Sequence, residues 1–207
     1  ETLINFVALL GWHPQNKQEL FRLDELEKEF SIQRIQKSSA VFDCGKLEWM
    51  NRQYLMNMGL DTIAKLAKPY YNDHGLDISD KQKYLLVVDN ARRRVNTLSE
   101  MPEESKMFYG NVNVSKKNLD LISGKASQRL LKDIHASLSG DVGCDGDKFK
   151  AIVIEVGEGL NVQGKDLFSP VRIALYGDPK GPDIPLIFAI LGKDEALRRF
   201  SQVINEQ

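Results

Sequence analysis

Apolar residues recur at three- and four-residue spacing in almost every segment of this 207-residue chain. No set of alternating runs is large enough to build a sheet, so the sequence predicts an all-α fold. Leu3, Phe6, Val7 and Leu10 mark a first amphipathic helix, stopped by Gly11 and sealed by Pro14, whose N-terminal half is expected to be missing. Leu23, Leu26 and Phe30 mark a second, with Asp24 and Glu25 where the helix dipole favours them. Asp43 reads as an N-cap ahead of the stripe Leu47, Met50, Tyr54 and Met58, and Gly59 as its left-handed end. Asp61 caps the next helix, which carries Ile63, Leu66, Ala67 and Tyr70, and Pro69 inside it predicts a kink or a break. Ser79 to Gln82 reads as a capping box opening four turns faced by Tyr84, Val87, Val88, Ala91, Val95 and Leu98.

The remaining third to half of the chain repeats this grammar. Pro102 to Phe108 is a short helix, and Gly110 to Val114 is a loop that marks a boundary. A helix follows over Leu130, Leu131, Ile134 and Leu138. The run from Ala151 to Val156 is rich in β-branched residues, yet Phe149, Ile152, Val153 and Val156 keep helical spacing, and a helix is expected there. Ser169-Pro170 suits a helix start or kink, and Gly177 to Pro185 a loop. Two helices separated by Gly192 close the chain.

Several kinds of chemistry are excluded by what the residues lack. A formal net charge of −1 gives no basic field over the whole surface, so any nucleic-acid contact must be local. Cys44 and Cys144 stand far apart with no metal spacing, which predicts a reduced, cytoplasmic chain without a zinc site. No apolar run approaches the ~20 residues that span a bilayer, so no membrane partner is expected. Asp141, Asp145 and Asp147 fail the ligand pattern of a calcium loop. His13, His74 and His135 are scattered, and no phosphate-cradling loop is present, so neither catalytic nor metal residues are expected. The chain opens on Glu1 inside a helix, as a piece of something longer would.

Two groups of charged residues stand out. Behind Asp43, the face opposite the apolar stripe carries Lys46, Trp49, Asn51, Arg52 and Gln53, donors with an exposed aromatic among them. A solvated surface helix with one Trp at a domain seam explains that face equally well. Arg92, Arg93 and Arg94 cannot all reach solvent from a helix that buries one side. Arg94 falls beside the stripe, where a guanidinium must be paired or must extend its stem over the core edge.

Three blocks carry a family resemblance. FDxxKLxWMNxxY from Phe42, with NFVALLGW at Asn5 to Trp12 and Lys37-Ser38 between, resembles the region of bacterial-type glutamyl-tRNA synthetases just after the catalytic domain. RRRVNTLSEMPEESKMFYG and SPVRIALYGDPKGPDIPLIFAILGKDEALRRF resemble that family's anticodon-binding segments. The resemblance implies a stem-contact remnant at residues 1–59, an anticodon-binding subdomain at 60–110 and a second at 111–207, the last two forming an α-helix cage. It implies that Lys46, Trp49 and Arg52 touch the tRNA stem, and that Arg94 reads the third anticodon base. Arg172 would support the first base, with Gly181, Pro182 and Ile184 in the loop against the anticodon. Tyr176 stands where the family usually has Thr, and Asp183 where Gly is common, so contacts around this loop differ from the pattern. The implied function is the tRNA-binding, anticodon-recognising C-terminal portion of a glutamate-tRNA ligase. The parent would need ATP and Mg²⁺; this portion would carry no cofactor and be inactive alone. The implied partner is tRNA(Glu), bound by a monomer, with no DNA. A helical scaffold that binds protein through Trp49 or a Tyr70-Tyr71 surface is the competing expectation.

Overall fold

The computed structural model describes residues 1–36, 41–140 and 143–205; Lys37-Ser38 and Asp141 lie outside the described residues. The described chain is all-α: α1 (Thr2–Gly11), α2 (Leu23–Glu29), α3 (Cys44–Asn57), α4 (Leu60–Asp73), α5 (Lys81–Ala91), α6 (Met101–Ser105), α7 (Lys116–Ile122), α8 (Lys125–Gly140), α9 (Gly146–Gly159), α10 (Gly164–Tyr176), α11 (Ile184–Leu191) and α12 (Lys193–Asn205). Among the described residues the nearest thing to a strand is one isolated bridge between Trp12 and Ile35. The run 151–156 lies inside α9, as its 3.6-residue spacing predicts.

Two hydrophobic cores form. The smaller holds Trp12, Phe21 and Leu26. The larger runs from Leu55 to Val203 and joins the helices of the second and third sequence segments into one packed body. At its centre Phe149 of α9 stacks on Phe188 of α11, with ring centroids 4.4 Å apart. An aromatic pair in that offset geometry adds about 0.5–1.5 kcal/mol beyond its burial.

Asp43 is the N-cap of α3, its Oδ1 accepting from the Lys46 backbone N–H at 3.0 Å. Elsewhere the local rules are overridden in instructive ways. Gly59 has φ −57°, so it does not end α3 in a left-handed conformation; Met58 ends α3, Gly59 caps α4, and Asp61 falls in the first turn. Pro69 leaves α4 continuous, because both Pro69 and Lys65, whose carbonyl loses its donor, face solvent. That helix buries Ile63, Ala64, Ala67 and Tyr71 and leaves Leu66 and Tyr70 exposed, a register one residue from the expected stripe. The competing Tyr70-Tyr71 surface therefore does not exist as such, since Tyr71 is buried and bonded to Ser105 Oγ at 2.7 Å.

On α1, Asn5 and Phe6 are buried while Leu3 and Val7 stay half-exposed. Asn5 sets that rotation. Its Oδ1 accepts from the Phe21 N–H at 2.6 Å, and its Nδ2 donates to the Glu19 carbonyl at 2.9 Å. On α5 the cap is Asp80, which accepts from the Lys83 N–H at 3.0 Å, and no Ser79 capping box forms. Ser169-Pro170 lies inside α10, which begins earlier at Gly164, and Pro185 sits in the first turn of α11 rather than in the loop. Asp145 serves as the N-cap of α9, accepting from the Lys148 N–H at 2.9 Å.

Candidate nucleic-acid interface

The arginine triplet does not extend α5. That helix stops at Ala91, and Arg92 to Arg94 form a turn held by an Arg94 N–H to Ala91 carbonyl bond of 2.9 Å. The turn is tied to α3, whose Arg52 donates to the Arg93 carbonyl at 2.5 Å and whose Asn51 donates to the Asn96 carbonyl at 2.6 Å. Arg92 returns the link by donating to the Met58 carbonyl at 2.9 Å while pairing with Asp89 at 2.5 Å. The first candidate group thereby carries the second.

The three guanidiniums divide the work. Arg92 is the most enclosed, and Arg93 lies along the surface, paired with Asp89 at 2.7 Å. Arg94 is between them, its side chain 32% exposed. Its Nη1 donates to Asn90 Oδ1 at 2.7 Å, and its Nε lies 3.7 Å from Glu104 Oε1. The Nη2 edge has no hydrogen-bond partner among the described residues. The ion-pair expectation for Arg94 thus holds in part, and an open edge remains.

Arg172 faces inward. Its Nε donates to the Pro182 carbonyl at 3.1 Å and its Nη1 to the Pro179 carbonyl at 2.9 Å, so it braces the loop between α10 and α11 from beneath. That loop starts at Gly177, whose φ of +86° is a conformation that side chains rarely adopt. Within it Gly181 and Asp183 are exposed, Pro182 is buried, and Ile184 is only 3% exposed. Pro182 and Ile184 anchor the loop, whereas the exposed positions are Asp178, Lys180, Gly181 and Asp183.

Tyr176 ends α10 directly before this loop, and its ring lies 5.5 Å from that of Phe108 in the second motif block. Burial, then the Glu104 carboxylate, raise the Tyr176 phenol above its ordinary pKa, while the Arg94 charge opposes them. Along α3, Trp49 is 42% exposed and Lys46 Nζ pairs with Glu19 at 2.6 Å. An exposed pair of that kind contributes about 0–1 kcal/mol, so the ammonium is readily transferred to a phosphate.

A model of the anticodon binding domain matches residues 62–204. This chain belongs to the anticodon-binding domain family. Residues 1–49 separately match the catalytic domain of class I tRNA synthetases (E and Q). The chain is 33% identical over 214 residues to the glutamate-tRNA ligase of Natranaerobius thermophilus, covering all of this chain and 44% of that relative. Against the glutamate-tRNA ligase of Carboxydothermus hydrogenoformans it is 33% identical over 211 residues, covering 99% of this chain and 44% of the relative. In three dimensions it resembles the glutamate tRNA ligase from Elizabethkingia meningosepticum, solved in complex with its amino acid, with a TM-score of 0.91 at 26% identity. That match takes in all of this chain and 41% of the other. The glutamate-tRNA synthetase of Elizabethkingia anophelis gives 0.86 at 26% identity, covering 99% of this chain and 40% of that one. The chain thus spans less than half the length of the relatives it matches.

Within the family's fold, several residues matter that spacing did not single out. Asn90 precedes Arg94 by four residues, a helical i,i+4 signal that the end of α5 disguised. Glu104 was visible only as a polar residue inside a longer motif. Arg199, the second Arg of the last block, is 1% exposed and holds both halves of the large core together.

Proposed function

We propose that this chain is the C-terminal, tRNA-recognising portion of a glutamate-tRNA ligase, with tRNA(Glu) as its partner. In this reading residues 1–59 lie against the tRNA stem, and 60–110 with 111–207 enclose the anticodon. Lys46, Trp49 and Arg52 contact backbone and ribose, Arg94 reads the third anticodon base, and Arg172 holds the loop carrying Gly181, Pro182 and Ile184 at the first. The observation that carries the reading is the open Arg94 edge together with the Arg172-braced loop, on two motif blocks distant in sequence that meet where the Phe108 and Tyr176 rings lie 5.5 Å apart.

The complete ligase would join glutamate to tRNA in the cytoplasm as a monomer, using ATP and Mg²⁺ bound in the part of the relatives that this chain does not cover. The residues present do not fit those groups. Among the described residues no three or more His, Cys, Asp and Glu side chains are placed to hold a metal ion, and no loop cradles a triphosphate. No described helix is long and apolar enough to cross a membrane.

Native gel shift tests the reading, using tRNA(Glu) and an unrelated tRNA at two salt concentrations. Tighter binding of tRNA(Glu) is expected, weakening with salt because counterion release gains less entropy at higher salt. In the same assay Lys46→Ala should weaken both tRNAs alike, because backbone contacts position without specifying sequence. Its salt slope should be shallower by about 0.7 for a single-stranded contact and up to about 0.9 for a duplex one. Equal affinity for the two tRNAs contradicts the proposal.

A further inference from the structure

We propose that Tyr176 is a further specificity-determining residue, whose hydroxyl hydrogen-bonds to the edge of an anticodon base held between Arg94 and the 177–183 loop. The inference rests on the anticodon-reading function proposed above and adds a residue to it.

Tyr176 ends α10, directly before the left-handed Gly177 that turns the chain into the loop. Its ring is wedged. On one side Phe108, from the segment after α6, lies with its centroid 5.5 Å away. Gly181 also lies against the ring, where a Cβ would stand 2.7 Å from ring atom Cε1 and 2.8 Å from Cδ1. The glycine is therefore what admits so large a side chain at 176. At 8% exposure the ring has no free face on which a base could stack.

The hydroxyl is different. Tyr84 donates to the Ala64 carbonyl at 2.7 Å and Tyr71 bonds Ser105 Oγ at 2.7 Å, whereas the Tyr109 hydroxyl is sealed from solvent without a partner. Tyr176 Oη makes no hydrogen bond among the described residues, and it is not one of the polar atoms sealed from solvent without a partner. An otherwise buried side chain thus ends in an open donor and acceptor on the cleft wall, where buried polar groups are ordinarily paired. Burial and the neighbouring Glu104 carboxylate keep the phenol protonated at neutral pH, so both capacities are available. Single-stranded loop bases present their Watson–Crick edges, which offer carbonyl acceptors and ring N–H donors to such a group.

Because the hydroxyl has no partner within the protein, Tyr176→Phe removes no internal bond. Its melting temperature should equal that of the wild-type chain. Dissociation constants are then measured for both proteins with tRNA(Glu) and with the same tRNA carrying an unrelated anticodon. The variant should bind tRNA(Glu) about 2- to 10-fold more weakly, the worth of one neutral hydrogen bond, with no change on the anticodon-replaced tRNA. Unchanged affinity for tRNA(Glu) overturns the proposal, as does an equal loss on both tRNAs, which would mean a contact to the backbone. If the wild-type chain binds no tRNA at all, the function itself falls, a result distinct from either of these.

Discussion

Replacing Arg199 with alanine is expected to cost about 3–5 kcal/mol, the range for removing one partner of a buried charged network. For a chain of this size that lowers the melting temperature by roughly 10 °C. The Arg199 guanidinium donates to the Leu175 carbonyl at 2.6 Å and to the Met107 and Gly110 carbonyls at 2.9 Å each, with Glu195 Oε1 at 2.6 Å on its Nε. Those carbonyls belong to α10 and to the stretch that leads out of α6, so one side chain ties the two motif blocks together. Arg199→Lys keeps the charge but not the planar fork that spans four acceptors, and it should recover only part of the loss. Denaturant unfolding decides the matter, and a change below about 1 kcal/mol on truncation would show that the network is dispensable.

The same network carries a pH signature. Two hydrogen bonds from Arg198 at 2.7 Å, and then that from Arg199, hold the Glu195 carboxyl down at about 2 against an ordinary 4.5. A depressed carboxyl stabilises the fold fully above its unfolded value, and that contribution fades as the pH falls from about 4.5 through about 2. Melting curves across that window should slope less steeply in Glu195→Gln than in the wild-type chain.

In the complete ligase, Arg94→Gln is expected to raise charging of tRNA(Gln) relative to tRNA(Glu). The two anticodons differ at the third base, C in one and G in the other. Cytosine presents adjacent acceptors at N3 and O2, whereas guanine presents donors at N1 and N2. Arg94, held at one Nη1 proton by Asn90, keeps Nη2 and its second Nη1 proton for an acceptor pair and meets guanine donor to donor. Discrimination of about 1–3 kcal/mol follows, roughly 5- to 150-fold in kcat/KM. Gln carries both a donor and an acceptor and tolerates either base. Arg94→Ala should lower charging of tRNA(Glu) without rescuing tRNA(Gln). If neither substitution moves the ratio, Arg94 serves only its ion pair with Glu104.

Most helices were legible from their 3.6-residue apolar spacing, whereas α7, which buries Ile122 alone, gave no such signal. The Asp43 cap was legible for a local reason, since the group that accepts and the N–H that donates lie three residues apart. Where tertiary contacts compete, local rules failed. Val95 and Leu98 continue the apolar pattern of α5, yet the helix ends at Ala91 and the turn after it is tied to Arg52 and Asn51, more than forty residues earlier. Motif blocks singled out Arg94 and Arg172, but no spacing could say that Ile184 turns inward or that Gly181 makes room for Tyr176. Asn90 was hidden for the same reason as the end of α5. Its role appears only once Arg94 is seen in a turn.

The most direct measurement is the affinity of this chain for tRNA(Glu) against the same tRNA with the third anticodon base changed from C to G. No catalytic step intervenes, and the substitution alters only the edge that Arg94 would meet. The changed tRNA should bind about 5- to 150-fold more weakly. Equal dissociation constants for the two would contradict anticodon readout by this cleft.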